Sequence, residues 1–97
     1  MSIITICGSS RFKNDILNIY KQLTLQNNIV FLDAIFNQNT LNLTIEEKNI
    51  IDNNHKQKIL LSDKIFVVNK GGYIGVSTRS EIEFAKEHNK EILYLEN

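Results

Sequence analysis

The stretch "ITICGSSRF", residues 4–12, decides how this chain reads. An apolar, β-branched run from Ile3 to Ile6 meets Cys7-Gly8. Two serines and an arginine follow, and then a helical pattern begins. Ile3 to Cys7 therefore reads as a buried strand. The turn after it has two readings. Exposed N–H groups at a helix start, with Ser9, Ser10 and Arg11 adding donors and a charge, can cradle an anion. Equally, Gly8 turns the chain and Ser9 or Ser10 simply caps the helix.

Working outward, a helix is expected over about residues 11 to 26, with Phe12, Ile16, Ile19 or Tyr20, and Leu23 as its apolar stripe. Asn27-Asn28 ends it, because Asn tolerates the left-handed conformation. Ile29 to Leu32 is a second strand, and Asp33 to Leu43 a loop carrying Phe36. Thr44-x-x-Glu47 is a capping box ahead of a helix with Ile50, Ile51, Ile59 and Leu60. Ile65 to Val68 is a third strand, and "NKGGYIGVS" (69–77) a glycine-rich loop. A helix from Thr78 to His88 ends at Asn89, and Ile92 to Leu95 is a fourth strand.

Strands and helices thus alternate, and the strands are continuously apolar. That pattern predicts an α/β fold with a parallel sheet covered on both faces. Right-handed crossovers favour the strand order 2-1-3-4 of a flavodoxin/Rossmann-like three-layer domain. The 97 residues suit one such domain spanning residues 1–97. In this order the chain reverses between strands 1 and 3, and ligands bind in the crevice at such a switch, beyond the carboxyl ends of the strands. The two loops expected there hold all 4 glycines: Gly8, Gly71, Gly72 and Gly75.

The bulk numbers exclude several classes. With 42% hydrophobic and 23% charged residues the chain is ordinary globular protein. A net charge of zero argues against a nucleic-acid polymer as partner. No apolar run approaches the roughly 18 residues of a membrane span. "MSIITICGSS" lacks the basic and long apolar regions of a signal peptide. The lone Cys7 cannot close an internal disulfide, so a reducing cytoplasm is the expected location. Abundant Asn and Ile fit an AT-rich bacterial or phage genome. Neither G-x-x-x-x-G-K-[ST] nor G-x-G-x-x-G occurs, which speaks against nucleoside-triphosphate hydrolysis and ordinary dinucleotide binding. No cofactor is expected. No His/Cys/Asp set has metal-ligand spacing, and no Ser/His/Asp set is suggested.

Glu81 is the sharpest single residue. It is expected in the first turn of the third helix, on one stripe with Phe84, Ala85 and His88, while Glu83 and Glu87 face solvent. Thr78-x-x-Glu81 also fits a capping box, which would give Glu81 a purely structural task. Asp63 precedes strand 3, and the strand length places it at the end away from the crevice. His55 falls on the Ile51–Ile59 stripe and reads as a partly buried structural histidine. His88 reads as a C-terminal cation of its helix.

Residues 62–95, "SDKIFVVNKGGYIGVSTRSEIEFAKEHNKEILYL", resemble the nucleoside 2-deoxyribosyltransferase-like superfamily, which includes the 2′-deoxynucleoside 5′-monophosphate N-glycosidases. Ser62-Asp63, the strand Ile65 to Val68, and "STRSEIEFA" (Ser77 to Ala85) stand where that group has its Asp pair, strand and Gly-Thr-Ala-x-Glu-x-Gly-x-Ala run. Ser77, Arg79 and Glu83 replace the first glycine, the alanine and the second glycine of that run. The resemblance implies Glu81 as nucleophile and Asp63 as a second catalytic carboxylate, against the placement just given. It implies a loop from Gly8 through Ser9 and Ser10 to Arg11 near sugar and phosphate. Gly71, Gly72, Tyr73, Gly75, Ser77 and Thr78 are the matching binding residues across the crevice. It also implies a homodimer or higher homo-oligomer, because such sites are often completed by a neighbouring subunit. The expected activity is that of a hydrolase or transferase acting on the N-glycosidic bond of a nucleoside or nucleotide. The alternative is a nucleotide-binding sensor of the same fold without the chemistry.

Overall fold

The structure, a computed structural model, describes residues 1–33 and 42–97. Strand β1 (Ile3–Gly8) leads through a 3-10 turn at Ser10–Phe12 into helix α1 (Lys13–Leu25). Strand β2 (Ile29–Phe31), helix α2 (Ile45–Leu61), strand β3 (Lys64–Val68), a 3-10 turn at Lys70–Gly72, helix α3 (Val76–Glu87) and strand β4 (Glu91–Tyr94) follow. The four strands form one parallel sheet in the order β2-β1-β3-β4. This is the expected three-layer architecture and strand order. The expected loop through Phe36 lies mostly outside the described residues.

Alternation along β1 builds the layers. Successive side chains of a strand point to opposite faces. Ile6 packs with Ile16 of α1, flanked by Ile19, Leu23 and Val30. Its neighbour Cys7 turns to the other face, among Ile59 of α2 and Ile82 and Ala85 of α3. β3 pairs with β1 over its whole length, from Lys64 opposite Ile4 to Val68 opposite Gly8.

Local chemistry sets the helix ends. Thr44 and Glu47 form the expected capping box: the Thr44 N–H donates to Glu47 Oε1 at 3.0 Å, and the Glu47 N–H to Thr44 Oγ1 at 3.1 Å. Asn27 ends α1 with φ 72°, and Asn89 follows α3 with φ 59°. α2 buries only His55 and Ile59, and Ile50 is 68% exposed. At the amino end of the sheet the Ile3 N–H donates to Asp63 Oδ2 and the Asp63 N–H to the Ile3 carbonyl, each at 2.8 Å. No helix among the described residues is long and apolar enough to cross a membrane.

Gly8 marks the tightest approach. A Cβ there would lie 3.2 Å from both Val68 Cβ and the Val68 carbonyl oxygen, and 3.4 Å from Ile16. Val68 is buried and cannot move aside. Gly8→Val therefore destabilises the fold by about 1–3 kcal/mol through overpacking. Gly75→Ala, whose Cβ would meet only Tyr73 at 3.5 Å or beyond, costs under about 1 kcal/mol, the preference for glycine over alanine at the start of a helix. Urea unfolding of both variants checks the contrast.

Candidate functional site

The carboxyl ends of β1 and β3 open into a cleft of about 240 Å³. The turn after β1 supplies Gly8, Ser9 and Ser10 on one side. The segment leading into α3 supplies Tyr73, Gly75, Ser77 and Thr78 on the other. Three carboxylates complete the lining: Asp33 after β2, Asp52 on α2 and Glu81 on α3. The charged groups lining this cleft, among the described residues, are thus all acidic.

Helix α3 begins two residues earlier than its sequence pattern suggests. Gly75 is its N-cap and offers no side-chain hydrogen bond. Thr78 is consequently inside the first turn, buried at 4% exposure, and Glu81 sits in the second turn. The expected Thr78–Glu81 capping box does not form, and Glu81 is released from that structural task. The first-turn amides of α3 remain without a side-chain cap, at the edge of the cleft.

Glu81 instead meets α2. Its Oε1 lies 3.4 Å from His55 Nε2, and its side chain is 14% exposed. His55 is 2% exposed, and its Nε2 also lies 3.7 Å from Cys7 Sγ. Three elements therefore converge below the cleft: the end of β1, the middle of α2 and the second turn of α3. Burial pushes the Cys7 thiol well above its ordinary range, and the Glu81 charge and a hydrogen bond to that carboxylate push it further. Burial alone would lower His55. The hydrogen bond and charge of Glu81, with the charge of Asp33, outweigh it and raise His55 above its ordinary 6.5, against a smaller opposing effect of Lys58.

Donor atoms of Cys7, His55 and Glu81 lie within 4.8 Å of one another, a spacing compatible with a metal ion. Their sequence separations gave no hint of this, since each comes from a different element. One feature disfavours that use: His55 Nδ1 meets no hydrogen-bond partner among the described residues, whereas a metal-bound imidazole almost always donates its second N–H.

The structure brings Gly8, Ser9, Ser10, Tyr73, Gly75, Ser77, Thr78 and Glu81 together around the cleft. It does not bring Asp63, which binds Ile3 at the opposite end of the sheet, as strand length requires. Arg11 is not among the residues lining the cleft either. Its guanidinium stacks 3.9 Å from the Tyr73 ring centroid and borders a neighbouring recess with Lys13 and Lys70. Tyr73 also meets Phe12 edge-on at 5.9 Å, so this ring forms a wall between the two cavities. Gly71 and Gly72 take φ of 65° and 80°, and the Gly71 N–H donates to Glu96 Oε2 at 2.8 Å. Their glycines serve the turn, not the cleft. Sequence reasoning missed Asp33, Asp52, Cys7 and the inward role of His55. Asp33 carried one usable signal, its place at the carboxyl end of a strand, and Asp52 another, its spacing of three from His55 on one helix face.

No family model matches this chain, and no curated protein matches it.

The raised values of His55 and Cys7 mean that the folded chain binds more protons than the unfolded one. Their contribution is fully present below the unfolded histidine value of 6.5 and is lost as pH rises through the higher folded value, with Cys7 adding the same sign at more alkaline pH. Unfolding free energy therefore falls between about pH 6 and about pH 9. In Glu81→Gln, where burial and Lys58 lower His55 and only the smaller effect of the Asp33 charge opposes them, the histidine part of that fall reverses. Urea titrations across this range measure both.

Proposed function

We propose that the chain cleaves the N-glycosidic bond of a nucleoside or nucleotide, with Glu81 as the nucleophile. One observation carries this reading: the Glu81 carboxylate lines a small cleft at the sheet's switch point and is held from below by a buried histidine. The resemblance of residues 77–85 to a family with a nucleophilic glutamate points the same way.

A Glu81 oxygen attacks the anomeric carbon as the base leaves with the electron pair of the C–N bond. An ester between Glu81 and the sugar results. Water then attacks the anomeric carbon, gives its proton to a neighbouring carboxylate, and the C–O bond to Glu81 breaks. Asp33 and Asp52 line the same cleft and suit that proton transfer. The transition state carries positive charge on the sugar, and three carboxylates around it are the right sign to stabilise that charge. Ser9, Ser10 and Ser77 offer hydroxyls to the sugar. A cleft of about 240 Å³ falls just below the roughly 300–1,000 Å³ of drug-sized ligand pockets, which suits a nucleoside rather than a dinucleotide.

A second reading is a nucleotide-binding module without turnover. The uncapped start of α3, whose amides can hold an anion, favours it.

Base release decides between them. The protein is incubated with ribo- and deoxyribonucleosides, their 5′-monophosphates and NAD, and free base is followed by chromatography. The expected outcome is release from at least one of these, reduced by at least about 10³-fold in Glu81→Gln. Saturable binding of a nucleotide with no release from any compound would replace the first reading with the second.

A further inference from the structure

We propose that His55 is a positioning residue for Glu81, holding the carboxylate at the cleft floor through an Nε2–H donor that it keeps in both of its charge states. The proposal rests on the glycosidic reading for its kinetic consequence, but not for its structural one.

The geometry fixes which nitrogen keeps the proton. Nε2 faces the Glu81 carboxylate at 3.4 Å and the Cys7 sulfur at 3.7 Å. Nδ1 is buried and meets no acceptor among the described residues. On losing one proton, the ring keeps it where an anion accepts it, and Nδ1 is the atom that gives it up. His88 provides an internal contrast, because its Nδ1 lies 2.8 Å from the Phe84 carbonyl and its neutral form carries the proton there instead. The groups acting on His55 come from every packed element: Cys7 on β1, Glu81 on α3, Asp33 after β2, and Lys58 on its own helix. The anions among them favour its charged form.

The site of contact matters for chemistry. Glu81 is in the second turn of α3, where its carboxylate meets His55 Nε2 of α2 at 3.4 Å and the Cys7 thiol of β1. The His55 contact restrains the attacking oxygen, and a displacement of about 1 Å can cost roughly 10²-fold in rate.

Nitrogen-15 NMR of the intact protein, titrated with pH, tests the contact without any substrate. Neutral His55 is expected as the Nε2–H tautomer and His88 as Nδ1–H, with the His55 midpoint falling in Glu81→Gln. An Nδ1–H tautomer at His55, or a midpoint indifferent to Glu81→Gln, overturns the proposal. Kinetics test the consequence. His55→Leu, which fills the space without a donor, lowers kcat about 10²-fold with KM nearly unchanged, and His55→Gln, whose amide supplies an N–H, recovers most of it. Circular dichroism confirms that both variants fold. Equal kcat in Leu and Gln variants that fold would show a space-filling role and overturn the proposal. Absence of base release by the unaltered protein defeats the glycosidic reading alone, since the tautomer and the midpoint still decide whether His55 holds Glu81.

Discussion

A charged or polar group can stay inside a small domain only if a partner compensates for lost water. His55 and Glu81 satisfy that condition for each other at 3.4 Å, with Cys7 beside them. This contact ties α2 to α3 across the end of β1. It also explains an oddity of α2, which buries a histidine where a simpler core would place leucine. The rest of that face follows from the same arrangement. Ile59 lies one turn beyond His55, and Ser62 closes the helix by donating from Oγ to the Lys58 carbonyl while accepting from Thr5 Oγ1 at 2.6 Å. A line of polar contacts thus runs along an otherwise apolar seam, with its functional end at the cleft and its structural end at the foot of the sheet.

The sheet decides where this polar end emerges. Because β1 and β3 are neighbours, the segments that follow them diverge to opposite faces and leave a cleft between. Gly8 keeps that boundary close, and Tyr73 divides it from the basic recess bordered by Arg11 and Lys70. The cleft that results is acidic in its charged side chains and rich in hydroxyls. Such a lining suits a sugar that becomes electron-poor.

Much of the fold is legible in the sequence because its signals are local. Apolar β-branched runs mark the strands, Thr44 and Glu47 mark a helix start, and Asn27 and Asn89 mark helix ends. The strand order then follows from handedness. The start of α3 is misread because Thr78-x-x-Glu81 imitates a capping box, whereas the chain already turns helical after Gly75, where no side chain advertises the cap. That shift of two residues carries Glu81 from a helix end to the cleft. The Cys7–His55–Glu81 cluster is invisible to spacing because its members lie 48 and 26 residues apart and meet only through the sheet. Asp63 shows the reverse case: strand length places it at the far end correctly, and family likeness alone argues otherwise. Arg11 reads as an anion ligand by its position in the turn, yet the nearby Tyr73 ring gives its planar cation a closer partner.

The proposed reaction turns on a covalent bond between Glu81 and the sugar. The most direct test is intact-protein mass spectrometry after incubation with a 2-fluoro-substituted nucleoside, whose electron-withdrawing fluorine slows hydrolysis of such an ester and lets it accumulate. The expected result is a mass increase equal to one fluorosugar residue, mapped by peptide fragmentation to Glu81 and absent from Glu81→Gln. Release of base with the protein mass unchanged, or attachment at another residue, would contradict it.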